Sequence, residues 1–204
     1  TLSDQFMLGS MLLVAPVVVR DQREREVSLP PGRWYDYLKP GTSYLSDDPQ
    51  GKRTKVSADL ETIPVFARAG AVIPLLPEGI QTFATGSKGL VDLAAVKDRY
   101  RVRLYHGADG SFTLEDGTTL SLEASGKVPT DSTTIKVQGK DLKACSGVDS
   151  VGCFHQDSAK KRITIELEGS GDALKVEASV GSEASFTFEA SFANKTRLTL
   201  EVYY

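Results

Sequence analysis

Hydrolysis and sugar binding need carboxylates, imidazoles, thiols or aromatic faces that converge on one point, and this sequence offers a short set of each. Its adjacent acid pairs are Asp47-Asp48 and Glu115-Asp116. Neighbours on an extended strand point to opposite faces, so neither pair meets at one substrate atom, and both read as solvated turns. Asp4 precedes the first apolar run and reads as a hydrogen-bonding residue rather than an acid catalyst. His106 stands before Gly107 and His155 follows Cys153. Neither has a third ligand at metal spacing or a flanking nucleophile string, so no zinc site and no Ser/His/Asp arrangement is expected. Gly-rich phosphate loops are absent, and no cofactor is expected. In Trp34-Tyr35-Asp36-Tyr37, alternation puts Trp34 on one face of a strand and both tyrosines on the other. One face must pack in a core, and Trp34 is the candidate for stacking on a sugar ring.

Two further features concern compartment. Cys145 and Cys153 flank a Gly/Ser-rich stretch whose hairpin would bring them within reach of a disulfide. Asn194-Lys195-Thr196 is an N-glycosylation sequon, with Asn194 as acceptor. Together they point to a secreted or secretory-pathway protein. The chain opens on Thr1 rather than Met, which suggests a segment released from a longer polypeptide by processing, by proteolysis or by design of the expressed gene. Pro16 interrupts the early apolar stretch and no basic residues precede it, so neither a signal peptide nor a membrane span fits.

These groups must be positioned by strands. Arg101 to Tyr105, Ser111 to Leu114, Arg162 to Leu167 and Arg197 to Val202 alternate polar with apolar residues, and 174–180 and 185–192 fit the same scheme. Gly and Pro punctuate these runs at Pro30-Pro31-Gly32, Pro40-Gly41, Asp109-Gly110 and Asp116-Gly117. Only Gly89 to Lys97 looks helical. With 204 residues, 40% of them hydrophobic, and a net charge of -3, the chain can bury two β cores and has no footprint for nucleic acid. The expected class is all-β, two antiparallel β-sandwich domains in tandem. Composition shifts from Pro-rich and aromatic to Ser/Thr/Lys/Glu-rich across residues 80–98, giving a proximal domain at 1–84, a linker at 85–94 and a distal sandwich at 95–204.

Four strings resemble the C-terminal β region of glycoside hydrolase family 31. They are Asp4-Gln5-Phe6-Met7-Leu8-Gly9 with Leu12-Leu13-Val14-Ala15-Pro16-Val17, then Arg25 to Tyr37, then Ile63 to Pro74, then Leu104 to Leu114 with Glu115-Asp116-Gly117. They occur in the family's order, and they span roughly the first 120 residues. The last turn departs from the pattern, lacking the usual Tyr and second Asp. The apolar run from Leu12 reads as a strand buried on both faces, as expected where a barrel hands the chain to a packed sheet.

The resemblance implies a retaining α-glycosidase of α-glucosidase or α-xylosidase type, built on a (β/α)8 barrel that precedes these domains. Retention uses two carboxyl groups about 5 to 5.5 Å apart, one as nucleophile and one as acid/base. In the family both come from barrel strands, and the Trp-x-Asp-Met-type nucleophile string does not occur here. No catalytic residue is therefore expected in this chain. Its expected partners are the barrel of the same enzyme and, through it, a carbohydrate substrate, with neither nucleic acid nor membrane. The segments Phe6 to Val19 and Ile63 to Pro74 would form one half of the seam with that barrel. The alternative is a free-standing carbohydrate-binding or adhesin-like β-sandwich.

Overall fold

The computed structural model describes residues 4–76, 78–84, 86, 88–92, 99–114, 119–123, 134–139, 153–157, 159, 162–168, 174–180, 184–191 and 197–204. Cys145, Asn194, Glu115 and Asp116 lie outside them, as does most of the stretch expected to be helical. Among the described residues there is no helix, and Gly89 and Leu90 lie in a turn and a bend.

Sheet 1 is built from β1 (Phe6–Leu8), β2 (Leu12–Val14), β7 (Val65–Arg68), β4 (Gly32–Asp36) and β5 (Ser43–Ser46), in that order. A two-stranded sheet of β3 (Glu24–Leu29) and β6 (Lys52–Ser57) covers one of its faces. Alternation decides which residues lie between them. Leu13, Ala15, Trp34 and Phe66 point toward Val27, Leu29 and Val56, and together they form a buried core. Tyr44 packs against this core, its ring edge-on to Phe66 with centroids 5.6 Å apart.

Two larger sheets follow. Sheet 2 has the order β10 (Gly110–Thr113), β11 (Thr119–Glu123), β16 (Ala184–Ser191), β15 (Leu174–Val180), β12 (Thr134–Gly139). Sheet 3 has the order β13 (Cys153–Asp157), β14 (Arg162–Glu168), β17 (Arg197–Tyr203), β9 (Arg99–Tyr105), β8 (Val72–Leu75). One feature departs from an antiparallel plan: β9 and β17 run parallel, with Arg103 opposite Glu201 and Tyr105 opposite Tyr203. The last strand returns to lie beside the first strand of the distal half, a connection that no hairpin could make.

β8 belongs to sheet 3 although it lies ahead of residue 84, because Val72 to Leu75 pair with Arg101 to Leu104. The ladder between the two halves therefore crosses the stretch where composition shifts. The hinge is tight. Gly70 N donates to Tyr105 O at 2.7 Å, Tyr105 N to Ala71 O at 3.0 Å, and Ala69 N to Arg33 O at 2.9 Å. Gly70 adopts φ +83, a conformation that any residue with a Cβ strains to reach.

Candidate functional site

Two surfaces stand out, one open and one closed. The open one is β1. Phe6, Met7 and Leu8 are 52%, 43% and 58% exposed although all three are large and apolar. Pairing places Met7 opposite Leu13, on the face toward the β3–β6 sheet, and Phe6 and Leu8 opposite Val14 and Leu12, on the other face. Neither covering layer buries β1. Within this chain itself the opening run is not buried on both faces: only Leu13 and Ala15 of Leu12 to Val17 are fully buried. Apolar continuity in the sequence does not reveal that β1 is an edge strand.

This edge is held rigidly. The Gln5 side chain forms a two-point clamp on β3, its Nε2 donating to Ser28 O at 2.8 Å and its Oε1 accepting from Ser28 N at 2.9 Å. Arg25, only 4% exposed, donates to Asp4 Oδ2 at 3.0 Å, to Asp4 O at 2.9 Å and to the Pro16 carbonyl. Asp4 therefore has the hydrogen-bonding role expected of it. A buried guanidinium with a single carboxylate partner binds the chain before β1 to the chain after β2.

The closed surface joins sheet 1 to sheet 3. Tyr35, Ala67, Ala71, Tyr105 and Tyr203 are buried together, with Tyr37, Met11, Leu12 and Ile73 packed around them. Tyr105 stacks on Tyr203 with centroids 5.0 Å apart, and Tyr35 lies 5.4 Å from Tyr105. The Tyr35 hydroxyl donates to His106 O at 2.8 Å, which makes His106 a backbone anchor of the seam. Within Ile63 to Pro74, Phe66 is covered by the Trp34 core, Ala67 and Ala71 by the tyrosine cluster, and Val72 pairs with Leu104 of the distal half. Phe66, Ala67, Ala71 and Val72 are at most 1% exposed, and only Ile63 among its large apolar residues is open, at 53%. The expectation that this segment faces a body outside the chain is corrected for Phe66, Ala67, Ala71 and Val72, which this chain's own residues cover, whereas Ile63 and Arg68 stay exposed.

A charged lattice closes the seam. Glu201 accepts from Arg101 Nε at 3.1 Å and Nη2 at 2.7 Å, and from Arg103 Nε at 2.9 Å. Arg101 also reaches Glu78 at 2.7 Å, and the Arg103 guanidinium lies 4.6 Å from the Tyr37 ring centroid. Burial pushes the Glu201 carboxyl up, but hydrogen bonds and charge from the two arginines outweigh it and leave the group below its usual range. A carboxyl held ionised in this way is a poor proton donor near neutrality, so the cluster is built to hold β9 and β17 together, with Arg103 over Tyr37 as its contact across the seam, rather than to transfer protons. The sequence reading missed it by treating residues 101, 103 and 201 as a solvated strand face. The usable signal was two arginines at i and i+2 together with a lone Glu between apolar residues of the last strand.

Burial also pushes the Tyr35 hydroxyl up to about 12, against the lowering effect of Arg33, and drives Tyr105 up further. The folded values exceed the ordinary tyrosine value of 10.0, so folding favours the protonated phenols. Their contribution is complete below about pH 10; that of Tyr35 is lost as pH rises through 12, and that of Tyr105 continues to fall above it. We expect midpoints of chemical denaturation to be flat between pH 7 and 9 and to fall steeply above about pH 10, with Tyr35 alone accounting for about 2–3 kcal/mol. Tyr35→Phe should flatten that fall; an unchanged alkaline limb would refute the assignment.

The remaining sequence candidates resolve as follows. Trp34 is 1% exposed, its rings inside the first core and its Nε1 donating to Pro30 O at 2.8 Å. The sugar-stacking expectation is corrected: the indole has no open face, because sheet 1 turns it toward β3 and β6. Asp48 caps its own turn, accepting from Gln50 N at 2.8 Å. Cys153 begins β13. No group of three or more His, Cys, Asp or Glu able to hold a metal occurs among the described residues.

Comparison with known proteins returns one family for this geometry. Residues 1–73 match the glycosyl hydrolase family 31 C-terminal domain, a segment that ends inside β8. The α-xylosidase of Saccharolobus solfataricus is 34% identical over 124 residues, covering 59% of this chain and 15% of that protein. Human neutral α-glucosidase C is 33% identical over 118 residues, covering 57% of this chain and 12% of that protein. Among solved structures, the cycloalternan-forming enzyme of Listeria monocytogenes shares the fold with a TM-score of 0.54 at 21% identity, covering 93% of this chain and 19% of that one. The chain thus spans less than a sixth of the length of these two sequence relatives.

Proposed function

We propose, from the premise that residues 1–73 are a glycosyl hydrolase family 31 C-terminal domain, that this chain is the non-catalytic end of a retaining α-glycosidase and caps its catalytic barrel. One observation carries the reading: β1, within the family-matched segment, exposes apolar side chains on both faces while Gln5, the residue before it, is clamped to β3. Monomeric proteins rarely leave such surfaces open, and because each of these side chains is already about half covered, a partner that completes the burial gains about 1 kcal/mol per side chain. In this reading the parent enzyme hydrolyses terminal α-linked glucosyl or xylosyl residues with acids contributed by its barrel. A secretory location, supported by the Cys145/Cys153 spacing and the Asn194 sequon, belongs to the same proposal. A free-standing sugar-binding sandwich loses its anchor with Trp34 in the core.

The test is direct. The polypeptide that includes the region upstream of Thr1 should cleave aryl α-glucosides or α-xylosides with retention of configuration. Residues 1–204 alone should show no turnover and should bind the separately prepared upstream region. A soluble, cooperatively folding isolated chain with no affinity for that region would count against capping.

A further inference from the structure

Resting on that reading, the structure assigns a shape and a chemistry to the surface that receives β1. We propose that the catalytic region of the same enzyme holds Phe6–Leu8 in a two-sided apolar cleft, rather than lying flat against one face of sheet 1.

Met7 shares its face with Leu13, and Phe6 and Leu8 share theirs with Val14 and Leu12. A flat partner would cover one of these faces only and leave the other in water. On sheet 1 itself both faces are already occupied, one by the β3–β6 core around Trp34 and the other by the tyrosine seam. β1 is the edge where neither layer buries the strand, and all three of its residues are 43–58% exposed. It is therefore a ribbon projecting from the side of the sandwich, apolar on both faces.

Its rigidity supports insertion. Gln5 pairs with the Ser28 backbone from one residue before the strand, and buried Arg25 fixes Asp4 and Pro16 together, so the ribbon is fixed before any partner arrives. Preorganisation of this kind lowers the ordering cost of docking. Neither Asp nor Glu, Lys or Arg lies within Phe6–Leu8, so the walls that receive it should be aliphatic or aromatic and dry. The free backbone edge of β1 calls for hydrogen-bonding groups at the floor of the cleft. The occupant is the catalytic region because relatives carrying this segment are far longer than the chain, which covers 15% of the Saccharolobus α-xylosidase.

Hydroxyl-radical footprinting of the intact enzyme, read by mass spectrometry, tests this without any substitution. The urea-denatured enzyme sets the fully open limit, and Phe66, 0% exposed within sheet 1, sets the closed one. A two-sided cleft requires Phe6, Met7 and Leu8 all to fall to the Phe66 level. If Phe6 and Leu8 are protected while Met7 still labels at the open limit, or the reverse, the cleft is wrong and one-faced capping survives. If all three label at the open limit, both the cleft and the capping of this edge are overturned.

Discussion

Gly110→Ala should destabilise the protein by about 4 kcal/mol or more, enough to remove much of the stability of an ordinary domain. A Cβ on Gly110 would run into the Gly70 carbonyl oxygen and lie 2.8 Å from its carbon, both of them backbone atoms that cannot rotate away. Gly70 is constrained in return: a Cβ there would meet Asp109 O at 2.5 Å, and its φ of +83 adds strain for any L side chain. These two glycines are where the turn after β7 passes the turn before β10, so relief requires the tyrosine seam to open. Gly79→Ala is the control. Its φ of +84 also disfavours a side chain, yet nothing lies within 4 Å, so the cost should stay near 1 kcal/mol. Urea denaturation compares the two, and equal midpoints for Gly110→Ala and Gly79→Ala would show that the close approach carries no energy.

Trp34→Ala should cost about 3–5 kcal/mol, the usual range for emptying a large aromatic site from a packed core. The indole is 1% exposed among Leu13, Val27, Leu29, Val56 and Phe66, residues contributed by four separate strands, so the cavity cannot close by moving one of them. Trp34→Phe separates the two components. It retains most of the packing and leaves the Pro30 carbonyl without its donor, for about 1–3 kcal/mol. Since Trp34 is the only tryptophan, wild-type fluorescence reports this core alone: emission should be that of a buried indole and should shift red in one transition. Full stability in Trp34→Ala, with loss of binding to a glycan, would instead restore the sugar-stacking role.

Much of the fold is legible along the chain because its strands have one wet and one dry face. The alternation in Arg101 to Tyr105 and in Arg197 to Val202 falls within β9 and β17, and residues 174–180 coincide with β15. Opposite placement of Trp34 and Tyr35 also follows from period two, and the structure puts them in different cores. What alternation cannot supply is the partner on each face. Val102 and Leu104 read as core and are 0% exposed, but the polar residues between them read as solvated. In the fold, Arg101 and Arg103 meet Glu201 from a strand about a hundred residues away, in a parallel register that no local signal encodes.

The family likeness and the absence of a paired-acid motif rest on residue types in order, and order is what a sequence holds. Whether an apolar run is inside or outside is a different kind of fact. Phe6-Met7-Leu8 and Val65-Phe66-Ala67 are similar strings, yet one is exposed on both faces and the other is packed between two layers. Tertiary structure alone separates them: β7 is central in sheet 1 and β1 is its edge, and burial depends on what lies alongside a strand rather than on the residues that compose it.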